Sequence, residues 1–244
     1  MAQPYEFPWD DQMFTQRVCS AVKKYWKSRS RQSSRRGKKS QGQAGTRNAV
    51  LGGKHLDDFV SLIEEVALSA GFRKEDVCRS SGLELPGYFR AQKRWDVVLT
   101  RGDRLCAAVE LKSQVGSFGK NFNNRSEEAI GSSTDLWTAF REGALGKDSP
   151  WLGYFFLLED APKAKRPVGL KASAFKPLAV FEGTSYAQRY AILCERLVLE
   201  RKYTKAALLF APRGIAGDYS EAPDPSLGLR SFLGSLHAHL LGCR

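Results

Sequence analysis

Three residues at short spacing could carry chemistry: Asp96, then after thirteen intervening residues Glu110-Leu111-Lys112. Two carboxylates on adjacent strands are what a hard divalent cation such as Mg2+ takes from a protein, with water and substrate phosphate completing the shell. A lysine two residues beyond the second carboxylate reaches the same place, where it can orient an attacking water or offset charge building on a phosphate. The backbone carbonyl of Leu111 is a further candidate ligand. The same residue types also line the solvated face of ordinary hairpins, so the spacing alone admits a purely structural reading.

The elements that must position these residues are two strands. Trp95-Asp96-Val97-Val98-Leu99 runs to a turn near Arg101-Gly102-Asp103, and Leu105 to Lys112 returns. Side chains alternate across a strand, so Glu110 and Lys112 share one face. A three-residue turn at 101–103 would pair Leu99 with Leu105, Val97 with Ala107 and Trp95 with Val109. That register leaves Asp96 opposite Ala108, on the face of Glu110. A two-residue turn would set Asp96 against Val109 and mix the faces, which a half-buried sheet resists. The three-residue turn is therefore the expectation.

Residues 113–125 follow directly and read as a loop. Gly116 and Gly119 would let its backbone approach a partner. Gln114, Asn121, Asn123 and Asn124 could read base edges, and Lys120 and Arg125 suit guanine or phosphate. An Asn-rich loop held by its own side-chain bonds is the structural alternative. Gly116 to Lys120 is no phosphate-binding loop of the Walker type, because spacing and helix-opening residue are both wrong.

Glu110-Leu111-Lys112-Ser113-Gln114-Val115-Gly116-Ser117-Phe118-Gly119 and the asparagines after it, with residues 83–90 upstream and 134–143 downstream, resemble the XhoI (PaeR-seven-I) family of type II restriction endonucleases. That family belongs to the PD-(D/E)xK nuclease superfamily, whose Pro-Asp pair is Trp95-Asp96 here; the metal needs the carboxylate and not the proline. The resemblance covers residues 51–158 well and the rest loosely. It implies an α/β fold with a mixed central sheet flanked by helices. It also implies a homodimer that hydrolyses double-stranded DNA with Mg2+ at 5′-CTCGAG-3′, after the first C, leaving 5′-phosphate ends. Longer flanking requirements are compatible with it. A cognate DNA methyltransferase is the expected system partner, with no direct binding implied. Two other readings remain open at this point: a structure-specific or repair nuclease on the same core, and a DNA-binding protein that does not cut.

The chain has 244 residues and a net charge of +12, with a pI near 9.6. Such a balance favours a polyanionic partner, and nucleic acid fits better than a membrane surface because no long apolar stretch is present. From Lys23 to Arg47 there are ten Lys/Arg and no acid. This segment is expected to be unable to order itself, and to act as an arm on DNA phosphates through Arg29, Arg31, Arg35, Arg36, Lys38 and Lys39. The expected division is a helix and basic arm over 1–50 and a nuclease domain with C-terminal additions over 51–244. Five dispersed cysteines without a Cys-x-x-Cys and three histidines (His55, His237 and His239) without zinc spacing argue against a zinc site. With no signal-like run at 1–6, a reducing cytoplasm is the expected compartment.

Hydrophobic spacing predicts helices over 14–26, 55–70, 126–143, 186–202 and 229–241. A short strand interrupted by Pro86-Gly87 is expected over 83–90, an all-apolar central strand over 151–159, and a buried strand over 206–211. Glu64, at the border of the apolar stripe of helix 55–70, is a candidate additional acid at the metal site, although a solvent-facing helix acid is the preferred reading. Glu127 and Glu128 are read as first-turn acids that complement a helix dipole. Residues 161–177 read as a basic connector.

Overall fold

The computed structural model describes residues 7–37, 55–171 and 173–243. Its frame is a six-stranded mixed sheet. The strands are β1 (Val77–Cys78), β4 (Val97–Arg101), β5 (Arg104–Gln114), β6 (Trp151–Glu159), β7 (Lys205–Ala211) and β8 (Ser220–Glu221), in the order β1-β4-β5-β6-β7-β8. The β5-β6 and β6-β7 pairs are parallel, and the outer pairs are antiparallel. β2 (Glu84–Pro86) and β3 (Gln92–Arg94) form a separate antiparallel ribbon. The strand expected over 83–90 is thus outside the central sheet, whose edge is taken by the two residues of β1.

Helices cover both faces. α1 (Asp11–Gly37), α2 (Asp57–Ser69) and α6 (Leu229–Gly242) share one apolar cluster with Val97, Leu99, Val109, Leu111, Phe155, Leu157 and Leu209. α3 (Phe118–Arg141) and α5 (Tyr186–Leu199) share the other with Val98, Ala108, Leu152, Tyr154, Phe156 and Leu208. Odd and even sheet positions separate between the two clusters, as alternation requires, except at Leu105 and Cys106 near the start of β5. β6 is buried along its whole length, which explains why no polar residue interrupts Trp151 to Leu158. A one-turn α4 (Pro162–Lys165) opens the 161–177 connector.

Two expectations about helices need correction. The basic stretch does not leave the helical state after residue 26: α1 continues to Gly37 and carries Arg29, Arg31, Arg35 and Arg36 on it. Its apolar face (Phe14, Val18, Val22, Tyr25, Trp26) packs with α2 and α6, and this anchor allows the polar turns beyond it to propagate. Lys38 and Lys39 lie outside the described residues. The run expected as a loop over 113–125 is instead the end of β5 and the first turns of α3. Asparagine and glycine are weak helix formers. Here Phe118 and Phe122, one turn apart, pack on Tyr186 and Tyr190 of α5 and outweigh that preference. Gly119 serves this packing rather than a ligand, because a Cβ there would overlap the Tyr186 hydroxyl. Glu127 and Glu128 accordingly sit well inside α3, whose first turn holds no acid.

The hairpin register also differs. Val97 pairs with Val109, Val98 with Ala108 and Leu99 with Ala107, then the register shifts to Thr100 with Leu105 and Arg101 with Arg104. The turn has only two residues, Gly102 and Asp103. A β-bulge at Cys106 supplies the extra residue that a three-residue turn would have supplied. Two odd steps make an even one, so Asp96 still falls on the face of Glu110, and nearer to it than expected. Leu105, before the bulge, and Trp95, before β4 begins, pack instead with the Val98 and Ala108 cluster.

Candidate active site

β5 leaves the sheet through Gly116 and Ser117, both with positive φ (61° and 47°), and α3 starts at once. This abrupt turn places the end of β5 beside the first turns of α3. Between them, the β3–β4 junction and α1 lies a cavity of about 710 Å³. Asp96, Glu110, Leu111 and Lys112 line its floor; Asn121, Arg125, Glu128 and Ser132, spaced to fall on one helical face, line its wall.

Asp96 is fixed by the backbone of β5. Leu111 N donates to its Oδ2 at 2.8 Å, and Asp96 N donates to Val109 O at 3.2 Å. Within an extended strand the N–H and C=O of one residue leave on the same edge, so the Leu111 carbonyl also faces the Asp96 side. Glu110 is 4% exposed at its side chain and lies between two ammonium groups. Lys112 pairs with Oε1, and Lys93 Nζ is 3.1 Å from Oε2. Lys93 also lies over the Trp95 ring, 3.9 Å from its centroid. That ring is an apolar platform with a negative face that suits a cation.

The electrostatics follow from burial and pairing. Burial pushes the Asp96 carboxyl up, against the pull of Lys112 and the Leu111 amide. Burial would raise Glu110 too, but Lys112 and Lys93 together hold it below the usual carboxylate range. Burial opposes the charge on Lys112, yet Glu110 and Asp96 outweigh it and raise the ammonium. Lys93 is different: desolvation prevails over Glu110, and Lys112 adds to the effect, so its ammonium is lowered. The two carboxylates thus favour the charged, hydrogen-bond-donating form of Lys112.

The donor set fits a hard divalent cation. It comprises two carboxylates, one of them buried, and an adjacent backbone carbonyl. Glu110 Oε2 is buried and faces the Lys93 ammonium at 3.1 Å, an ion pair without a well-aligned hydrogen bond. No cluster of three or more His, Cys, Asp or Glu side chains occurs among the described residues. His239 Nε2 instead lies 3.0 Å from the Cys106 carbonyl at the bulge, and His237 is buried in the α6 packing.

Of the other residues singled out from the sequence, Gln114, Asn121, Arg125 and Arg29 reach the cavity. Gln114 donates to the Gly116 carbonyl and so braces the turn. Asn121 Nδ2 donates to Ser117 O at 3.1 Å, closing the first turn of α3. Lys120, Asn123 and Asn124 are exposed on α3, Arg31 is exposed on α1, and none of them lines the cavity. Glu64 is also outside it, held by Arg79 across to β1's end.

Sequence reasoning missed Arg90, Lys93, Glu128 and Ser132, which all line the cavity. Glu128 was assigned to a helix end that does not exist; it accepts from Arg125 at 2.6 Å. Lys93 carried one usable signal, since it stands three residues before Asp96. Its approach to Glu110 depends on a change of direction between β3 and β4 that no periodicity announces.

A model of the restriction endonuclease XhoI family matches residues 32–221. The chain belongs to that family. Over 205 residues it is 45% identical to a type II restriction enzyme of Geobacillus stearothermophilus, BstVI, covering 80% of this chain and 91% of the relative. It is 45% identical over 183 residues to the type II restriction enzyme XhoI of Xanthomonas vasicola, 73% of each chain. A third relative, AbrI of Azospirillum brasilense, is 47% identical over 116 residues, 46% of this chain and 52% of its own. No solved structure matches. The mixed sheet with helices on both faces agrees with a restriction-endonuclease-like fold, and the protein is a type II restriction endonuclease, a site-specific deoxyribonuclease. No described helix is long and apolar enough to cross a membrane.

Proposed function

We propose that this restriction endonuclease hydrolyses double-stranded DNA with Mg2+ held by Asp96, Glu110 and the Leu111 carbonyl, leaving 5′-phosphate and 3′-hydroxyl ends. The observation that carries this reading is the convergence of Asp96, Glu110 and Lys112 on one cavity floor, with the first two braced by the same strand. Bound Mg2+ would polarise a phosphoryl oxygen and lower the pKa of a coordinated water. Asp96 and Glu110 supply the negative charge that retains such an ion. Lys112, kept charged by both carboxylates, donates to the attacking water or to the non-bridging oxygen on which charge accumulates. The lining carries Arg29, Arg90, Lys93, Lys112 and Arg125 against Asp96, Glu110 and Glu128, an excess of positive charge suited to a phosphodiester backbone.

The site proposed is 5′-CTCGAG-3′, cut after the first C, with or without flanking requirements; it rests on the resemblance to the XhoI family and not on any base-reading contact. A palindrome read symmetrically calls for two copies, each cutting one strand. The test is digestion of a plasmid of known sequence with Mg2+ and with EDTA, followed by end mapping. Discrete fragments ending at this palindrome with Mg2+, and none with EDTA, are expected. Smearing, a preference for branched DNA, or activity in EDTA would each defeat the proposal.

A further inference from the structure

The ribbon β2–β3 stands beside the cavity and has no role in the central sheet. Its tip, closed by Gly87 N donating to Ala91 O at 3.3 Å, presents Tyr88 and Phe89, 54% and 71% exposed. Their rings meet edge to face with centroids 5.0 Å apart. Two exposed aromatic rings at a tip would normally be free to reorient, but this tip is clamped. Asp135, buried on α3, accepts from Tyr88 N and Phe89 N at 2.8 Å each and from Arg90 Nε at 2.6 Å. Gly87 closes the clamp, since a Cβ there would stand 2.6 Å from both the Asp135 carboxylate and the Arg90 carbonyl. The tip is thus held in one shape by the helix that also forms the cavity wall.

Charge indicates what the tip meets. The ribbon carries Arg90, Lys93 and Arg94 against Glu84; Arg94 pairs with Glu84, Lys93 with Glu110, and Arg90 with Asp135 through Nε while remaining half exposed. Arg90 and Lys93 line the cavity that holds Asp96 and Glu110. A second copy docking tip to tip across a two-fold axis would bring the exposed sides of the Arg90 and Arg94 guanidiniums against their own images, whereas a phosphodiester backbone can approach them favourably. Aromatic rings beside such cations stack on base faces or wedge into a base step. A clamped tip also loses little conformational freedom on binding.

We propose that the β2–β3 ribbon is a rigid DNA contact, in which Tyr88 and Phe89 stack on bases beside the scissile phosphate while Arg90 holds the adjoining backbone. This rests on the nuclease reading above. The experiment therefore begins with the parent enzyme, whose cutting of plasmid decides that reading independently. Binding is then measured by fluorescence anisotropy on a duplex containing the mapped site, in an Asp96→Asn background that does not cut. Tyr88→Ala and Phe89→Ala are each expected to weaken binding about tenfold or more. Phe89→Trp should keep the affinity and Phe89→Leu should lose it, because leucine is apolar but has no face to stack. Thermal melting should be unchanged for these exposed positions. The proposal is overturned if the parent cuts but Phe89→Leu binds as well as Phe89→Trp, or if the alanine variants bind like the parent. It is equally overturned if light scattering shows that those variants lose self-association while their DNA affinity per active unit is unchanged, which would make the patch an interface between copies.

Discussion

Replacing Asp135 with Asn isolates the clamp that joins α3 to the ribbon. The buried carboxylate accepts three hydrogen bonds, two from backbone amides and one from Arg90. An amide oxygen at Oδ1 can still take Tyr88 N and Phe89 N, but an NH2 at the other position faces Arg90 Nε donor to donor. A hydrogen bond to a charged group contributes about 1.5–3 kcal/mol. Arg90 is half exposed and can turn to water, which places the loss at the lower end, roughly 1–2 kcal/mol. Asp135→Ala removes all three acceptors and is expected to cost more, roughly 2–4 kcal/mol. The assay is urea unfolding at pH 7 and fixed protein concentration, repeated down to acid pH. Burial acts to raise the Asp135 carboxyl, but Arg90 and the two amides outweigh it and hold the group below its usual range. Its stabilisation is therefore present above the unfolded carboxyl pKa of about 3.9 and is lost as pH falls through the lower folded value. Asp135→Asn should flatten that acid limb as well as lower the plateau. A variant as stable as the parent at pH 7, with the same acid limb, would refute the clamp.

Three further outcomes are expected. Asp96→Asn, Glu110→Gln and Lys112→Ala should each reduce cleavage at least about a thousandfold while sparing DNA binding by anisotropy; cutting that survives in all three would remove the site from this cavity. Arg29→Gln, which neutralises a cation at the cavity, should weaken binding to cognate and random DNA alike and lower the slope of log K against log salt by about 1; an unchanged slope would place Arg29 away from phosphate. Ser117→Gly should raise stability by about 0.5–1 kcal/mol in the same urea assay, since a left-handed non-glycine costs roughly 1–2 kcal/mol and glycine's extra unfolded freedom takes back part of it. A loss of stability there would mean that the serine has an unrecognised partner.

The sequence by itself determined the candidate group and the strands that carry it. Asp96, Glu110 and Lys112 are legible as a group because side-chain alternation is a local property, and the run from Trp151 to Leu158 declares a strand covered on both faces. Even the wrong register left Asp96 on the correct face, since a short turn and one bulge together preserve parity. The helix of α2 was equally legible, from a stripe of Phe59, Val60, Ile63, Val66 and Ala67.

Only the tertiary structure decided what lies within reach of those groups. Asn121, Asn123 and Asn124 favour a loop locally, and the packing of Phe118 and Phe122 on α5 made that run a helix, turning Asn121 and Arg125 to the cavity and Asn123 and Asn124 to its outside. Lys93 meets Glu110, and Asp135 meets residues more than forty positions away, through contacts between elements that have no sequence period. Periodicity records which face of an element is buried. Which elements then meet is set by the sum of apolar contacts over the whole core, so the second lysine and the clamped ribbon had to wait for the fold.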